Sequence, residues 1–148
     1  MRRIIVGITG ATGFIYGVRL LELLRQLKIE THLVVSKAGQ QTRQYETDYN
    51  LADVKALADH YHNYQDITAA ISSGSFITDG MIITPCSVKT VSEIAYGITP
   101  NLLSRAADVI LKERRRLVLM IRETPLHTGH LEAMLKVSQM GGIIAPSS

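Results

Sequence analysis

Arg105-Ala-Ala-Asp108-Val-Ile-Leu-Lys112-Glu-Arg-Arg115, then the apolar run Leu117 to Ile121, then Arg122-Glu123-Thr-Pro125 follow one another almost without a break. Arg105, Asp108 and Lys112 recur at spacings of three and four, one stripe of a helix. Leu102, Leu103, Ala106, Ala107 and Ile110 form another face of the same helix, apolar and core-seeking. The run that follows is short and continuously apolar, as a strand buried on both faces is. It ends on an Arg–Glu pair, and Pro125 stops it. Open α/β sheets bind ligands at the carboxyl ends of their strands, so this stretch predicts a fold class and a place to look for a site.

Working outward, the same alternation recurs. Arg2 to Ile8 reads as a first strand. Phe14, Val18, Leu21, Leu24 and Leu27 recur every three or four residues, with Arg19, Glu22 and Gln26 on the other face, an amphipathic helix. Thr31 to Val35 is a second strand, and Ser36 is a good N-cap for a helix to about Tyr45. Leu51 to Ala58 is a short helix. Residues 59–79 are weakly periodic and end in the loop signature Ser72-Ser73-Gly74-Ser75. Gly80 to Thr84 is a strand stopped by Pro85, and Ser87 can cap the helix after it. Leu131, Met134, Leu135 and Ser138 mark a last helix, and Gly142 to Ala145 starts another strand. Strands alternating with helices make βαβ units and a parallel sheet, here a three-layer Rossmann-like (flavodoxin-like) α/β fold in one domain, 1–148. A helix usually closes such a layer, and the expectation is that one is missing after Pro146-Ser147-Ser148.

Size and composition narrow the function. The 148 residues, 46% hydrophobic, suit a single domain with its own core. Cys86 is the one cysteine, so no internal disulfide is expected, and a reducing, cytoplasmic setting follows. No stretch approaches the ~20 apolar residues that cross a bilayer. Residues 1–100 hold nine Lys+Arg and nine Asp+Glu, and the remainder hold seven and four, so the net charge of +3 sits in the last third. Without Trp and with two Phe, the basic cluster lacks the aromatics of a nucleic-acid surface. A small anion such as a phosphate ester suits it better, and Arg114-Arg115-Arg116 reads as a solvated helix end.

Three places carry chemistry. The turn Gly7-Ile-Thr9-Gly10-Ala11-Thr12-Gly13-Phe-Ile-Tyr-Gly17 joins a strand to a helix start, where free amides and the helix dipole favour phosphate. It is spaced G-x-x-G-x-x-G, not as the dinucleotide fingerprint, and Ser36-Lys37 stands where that fingerprint expects an acid. None of the six tyrosines has Lys four residues later, which argues against a short-chain reductase. Thr84-Pro85-Cys86-Ser87-Val88-Lys89-Thr90 is a second strand end meeting a helix start, suited to another part of the same ligand. Cys86 itself reads as a small buried residue. The third place is Arg122-Glu123 with Arg105 and Lys112: arginine binds phosphate in a bidentate fork, and Glu123 is a candidate acid/base. Glu46 is the other carboxylate in a loop-like context. His127, His130 and Glu132 match no strong metal signature and read as a helix cap and first turn; His60 and His62 alternate as in a short strand and carry little signal.

Assembled, these stretches resemble the UbiX-type flavin prenyltransferases, within the homo-oligomeric flavin-containing cysteine decarboxylases. The resemblance runs through Ile4-Ile-Val-Gly-Ile-Thr-Gly-Ala-Thr-Gly13, Glu30-Thr-His-Leu-Val-Val-Ser-Lys37, Ser72-Ser-Gly-Ser-Phe76, Pro85-Cys-Ser87, Arg105 to Val109, Lys112-Glu-Arg114 and Arg122-Glu-Thr-Pro-Leu126. It implies a fold that binds FMN and moves a dimethylallyl group from dimethylallyl phosphate to the reduced flavin, for use by a UbiD-type aromatic acid decarboxylase. By position it implies flavin contacts from Gly10, Ala11, Thr12, Ser36, Ser87, Val88, Lys89, Thr90 and Arg122. Arg105, Lys112 and Arg122 would meet the substrate phosphate, and Thr12, Glu46 and Glu123 would handle protons. Sites between subunits of a homo-oligomer are implied, with Arg122 reaching from a neighbour, and no metal. Family members continue past Pro146 with a Pro-x-Phe-Tyr segment and a closing helix. A related FMN-dependent decarboxylase, or a flavin-binding accessory subunit, is the other reading. The decarboxylases rely on an early histidine, which this chain lacks after its first helix start.

Overall fold

The computed structural model describes residues 2–146; Met1 and the Ser147-Ser148 end lie outside the described residues. The elements are β1 (Arg3–Ile8), α1 (Phe14–Gln26), β2 (Glu30–Val35), α2 (Lys37–Glu46), α3 (Leu51–Leu57), β3 (His60–His62), a 3-10 turn (Ala70–Ser72), β4 (Gly80–Cys86), α4 (Val88–Ala95), α5 (Leu102–Lys112), β5 (Arg116–Ile121), α6 (Thr128–Gln139) and β6 (Ile143–Pro146). All six strands pair in parallel in the order β3-β2-β1-β4-β5-β6. This is the expected three-layer Rossmann-like sheet. From β1 the chain builds outward to β2 and β3, and from β4 outward the other way to β5 and β6. Such a sheet opens a crevice where the direction reverses, above the carboxyl ends of β1 and β4.

Alternation along each strand separates two cores. Val6, Ile8, Leu33 and Val35 pack against Phe14, Val18, Leu21 and Leu24 of α1 and Val54 of α3. Ile5, Val34, Met81, Ile83, Leu117 and Leu119 face the other way, against α4, α5 and α6. Burying this apolar surface is the main stabilising term, about 25 cal/mol per Å² removed from water.

Several boundaries differ from the sequence reading. Leu27 is not in the core but 67% exposed: α1 ends at Gln26, and Lys28 turns the chain in the left-handed region (φ 58°). On α6 the apolar marks Leu131 and Leu135 lie 53% and 59% exposed, and the buried pair is Ala133 and Val137, small enough to sit close to the sheet and α4. Pro85 does not stop β4, which runs to Cys86; the proline falls where the pairing with β5 shifts register, so the ladder tolerates its missing N–H. Arg114–Arg116 is not a solvated helix end. Helix α5 closes at Lys112, Arg116 opens β5, and Arg115 donates to the carbonyls of Gly74 (2.7 Å) and Phe76 (3.1 Å), pinning the long 63–79 connection. Among the described residues no helix is long and apolar enough to cross a membrane.

Candidate active site

Strand β1 is followed by Thr9, whose buried hydroxyl donates to Pro85 O (2.8 Å) and accepts from Ser87 N (2.9 Å). One side chain therefore binds the first strand end to the second and sets α4 beside the turn that opens α1. Residue Gly10 follows because nothing larger fits: a Cβ there would stand 2.5 Å from the Ala38 Cβ of α2. The hydroxyl of Thr42 in α2 donates to Gly10 O (2.8 Å), locking the contact. Gly13 is the N-cap of α1 in the left-handed region (φ 103°), a conformation glycine adopts without a Cβ penalty.

The predicted charged and hydroxyl groups meet here in part. Thr12, Arg122 and Glu123 line one cleft of about 650 Å³, together with Leu126, Met134 and Ile144. The Arg122 guanidinium lies 4.9 Å from the ring centroid of Tyr16, a cation–π contact that fixes the fork above α1. Glu46 enters from the end of α2. Its Oε1 accepts from the amides of Gly13 and Phe14, both at 3.0 Å. A carboxylate thus sits on the positive end of α1, where the helix dipole favours it. The amides expected to be open to a phosphate at this helix start are held by the protein itself.

Ser36 and Ser87 each cap a helix. Ser36 Oγ accepts from Gly39 N (3.0 Å), and Ser87 Oγ accepts from Thr90 N (3.2 Å) and lies 3.0 Å from Thr90 Oγ1. A hydroxyl that accepts a backbone bond keeps its own hydrogen for an anion. Both caps face the crevice edge, since β2 and β4 end there in parallel with β1. Val88 is the first residue of α4 and Lys89 is exposed beside it. Cys86 is fully buried and its thiol is pushed far up, by burial first and by the Glu93 charge second, so it is no nucleophile. Burial also raises the carboxyl of Glu93.

Glu46, Arg105 and Lys112 are not on the wall of this cleft: Glu46 lines a separate cavity with Ile15 and Tyr49, behind the turn that it caps. Arg105 and Lys112 are seven residues apart on α5, about 10 Å along the helix. The helix runs toward the amino edge of the sheet, where Arg116 pairs with Gly80, so Lys112 ends opposite the crevice and pairs with Glu113 (3.6 Å). Thr9 and the Glu46 cap escaped sequence reasoning. A polar residue closing an apolar strand was the only local sign of Thr9, and its partners lie 76 and 78 residues away.

This arrangement has relatives. The flavoprotein family model matches residues 1–147. The chain is 59% identical over 147 residues to the flavin prenyltransferase UbiX of Escherichia coli K12, covering 99% of this chain and 78% of that protein. The crystal structure of AnUbiX (PadA1) in complex with FMN and dimethylallyl pyrophosphate superposes with a TM-score of 0.96 at 55% identity, over 98% of this chain and 77% of that one. A dodecameric FMN-dependent UbiX-like decarboxylase from Escherichia coli O157:H7 gives 0.95 at 55% identity, over 97% and 79%. With the family model and these relatives spanning nearly its whole length, the chain belongs to the flavoprotein family, among the UbiX-type flavin prenyltransferases.

Proposed function

We propose that this chain, as a single flavoprotein domain (1–148), moves a dimethylallyl group from dimethylallyl phosphate to reduced FMN, and that the prenylated FMN serves a UbiD-type aromatic acid decarboxylase. One observation carries the reading: the Thr12 turn and the Arg122–Glu123 strand end close one cleft in a chain 59% identical to a flavin prenyltransferase. The residues present fit FMN. The cleft lies within the roughly 300–1,000 Å³ of cofactor sites. Leu126, Met134 and Ile144 offer an apolar wall for a ring, and Ser36, Ser87, Lys89 and Thr90 offer donors and charge for a phosphate.

When bound, reduced FMN supplies the ring atoms that accept the prenyl carbon. The chain's own groups do the rest. Gly10, Ala11 and Thr12 let the backbone approach the ring, with Val88 at the start of α4. Arg122 holds a phosphate oxygen in its fork, oriented by Tyr16. Thr12 and Glu123 line the same cleft and are placed to move a proton there. Glu46 anchors the turn through Oε1 and is the third proton-handling group. The resemblance has Arg122 reaching in from a neighbour, whereas here it lines the cleft with Thr12 of its own chain; Arg105 and Lys112, lying off the cleft, are instead the cations that reach the departing phosphate from a neighbouring copy, so the working unit is a homo-oligomer with sites between subunits. These cations stabilise the leaving charge in the role a metal plays elsewhere. A cytoplasmic location belongs to the same proposal, resting on a single, buried cysteine.

Anaerobic incubation with FMN, dithionite and dimethylallyl phosphate tests the reading. The expected product is a flavin heavier by one prenyl unit on mass spectrometry. Bound FMN of unchanged mass, with all the dimethylallyl phosphate intact, would overturn it.

A further inference from the structure

A second constellation lies at the amino edge of the sheet, on β2 and the edge strand β3. The strands pair with His32 opposite His60 and Val34 opposite His62. Alternation then projects Glu30, His32, His60 and His62 from one face. His32 is buried, 4% exposed, and its ring stacks on His60 with centroids 4.5 Å apart. Its Nε2 lies 2.7 Å from Glu30 Oε2 and its Nδ1 lies 2.9 Å from His62 Nε2. A Glu30 oxygen and one ring nitrogen each of His32 and His60 lie within 4.8 Å of one another. Beside them opens a cavity of about 380 Å³, with Glu30, His60 and Asp59 on its wall.

We propose that Glu30, His32 and His60 form a divalent metal site that takes Zn²⁺ or an ion of similar softness. Two imidazoles and a carboxylate are the ligand set of an open three-protein-ligand zinc centre, with the fourth position facing the cavity. Ligands about 2.0–2.2 Å from Zn²⁺ stand roughly 3.3 Å apart; the His60 ring, stacked on His32 with 15° between the planes, has to swing out of the stack to aim a nitrogen at the ion, and its exposed position on the edge strand leaves room for that. His62 is the outer partner: with the ion on His32 Nε2, His32 Nδ1–H donates to His62 Nε2, and both rings stay neutral by exchanging tautomers. Positive neighbours oppose the ion and limit its affinity. Arg3 pairs with Glu30 and lies over Phe76, Arg25 pairs with Asp59 and Ala56 O, and Lys28 is on the cavity wall. Bound metal would tie the three-residue edge strand to β2, at the opposite edge from the flavin cleft.

The test is a titration of the chelator-stripped full chain with Zn²⁺ by calorimetry and with Co²⁺ by visible absorption. One ion per chain is expected, with a Kd in the micromolar range, tetrahedral cobalt bands, and a Tm that rises with added Zn²⁺. His60→Ala, at an exposed position, should weaken binding at least tenfold, and Glu30→Gln likewise, while His130→Ala in the separate His127–His130 pair leaves it unchanged. Absence of saturable binding at ~1 mM ion, or binding that survives His60→Ala or is lost in His130→Ala, would overturn the proposal.

Discussion

Thr9 shows how a single hydroxyl organises the crevice. It is buried, and its Oγ1 serves Pro85 O and Ser87 N at once. Thr9→Val keeps the shape and leaves a backbone donor and acceptor without that partner, at a cost of about 1–3 kcal/mol. Urea denaturation should show this loss, and FMN affinity should fall with it, because α4 is no longer held against the α1 turn. Gly10 acts by what it lacks. A methyl there meets Ala38 at 2.5 Å, so Gly10→Ala should push α2 off the turn and lower the Tm, while the paired change Gly10→Ala with Ala38→Gly recovers most of the loss. Failure of the second change to rescue the first would locate the strain elsewhere. Glu123→Gln keeps size and hydrogen bonding and removes the proton-carrying group. It should slow prenyl transfer at least tenfold with FMN affinity unchanged, read by anaerobic single-turnover absorbance.

Among the elements, the pair β2–β3 carries the clearest pH dependence. Burial holds the imidazoles of His32 and His62 below their ordinary 6.5; the Glu30 hydrogen bond pulls His32 upward, and burial outweighs it. Glu30 is held below its ordinary 4.5 by the His32 hydrogen bond first and Arg3 second. At all three groups the unfolded chain takes up its proton at the higher pH. Stability is therefore full above about pH 6.5, falls as pH drops below it, and falls again below about 4.5. Denaturation midpoints measured with chelator present should track this, and His62→Gln should flatten the upper step. A midpoint that rose on acidification would contradict the assignment. Element α5 is different: its amphipathic stripe was plain, yet its direction in the fold sends Lys112 away from the cleft that Arg122 enters.

For the whole molecule, that separation yields a prediction about assembly. Arg122→Ala and Lys112→Ala should each lower prenyl transfer, the first also weakening FMN binding. If one copy supplies α5 cations to another's cleft, co-assembled mixtures of the two variants regain part of the activity, because some interfaces then carry both intact partners. Mixtures no more active than either variant alone would place both groups in one chain's site. The relation to sequence is uneven for a physical reason. Alternating apolar runs and helical stripes are local patterns, and they alone determined the parallel α/β sheet, the Gly10–Gly13 turn, the Ser36 and Ser87 caps and the charged end of β5. Local patterns are silent on strand order. Only the order β3-β2-β1-β4-β5-β6 put Thr9 under Ser87, Glu46 on the α1 amides, Arg122 beside Thr12, and three histidines that carry little signal in sequence into one stack beside Glu30. Those contacts join residues roughly 30 to 110 positions apart, and packing of two cores on a single twisted sheet, not periodicity along the chain, decided them.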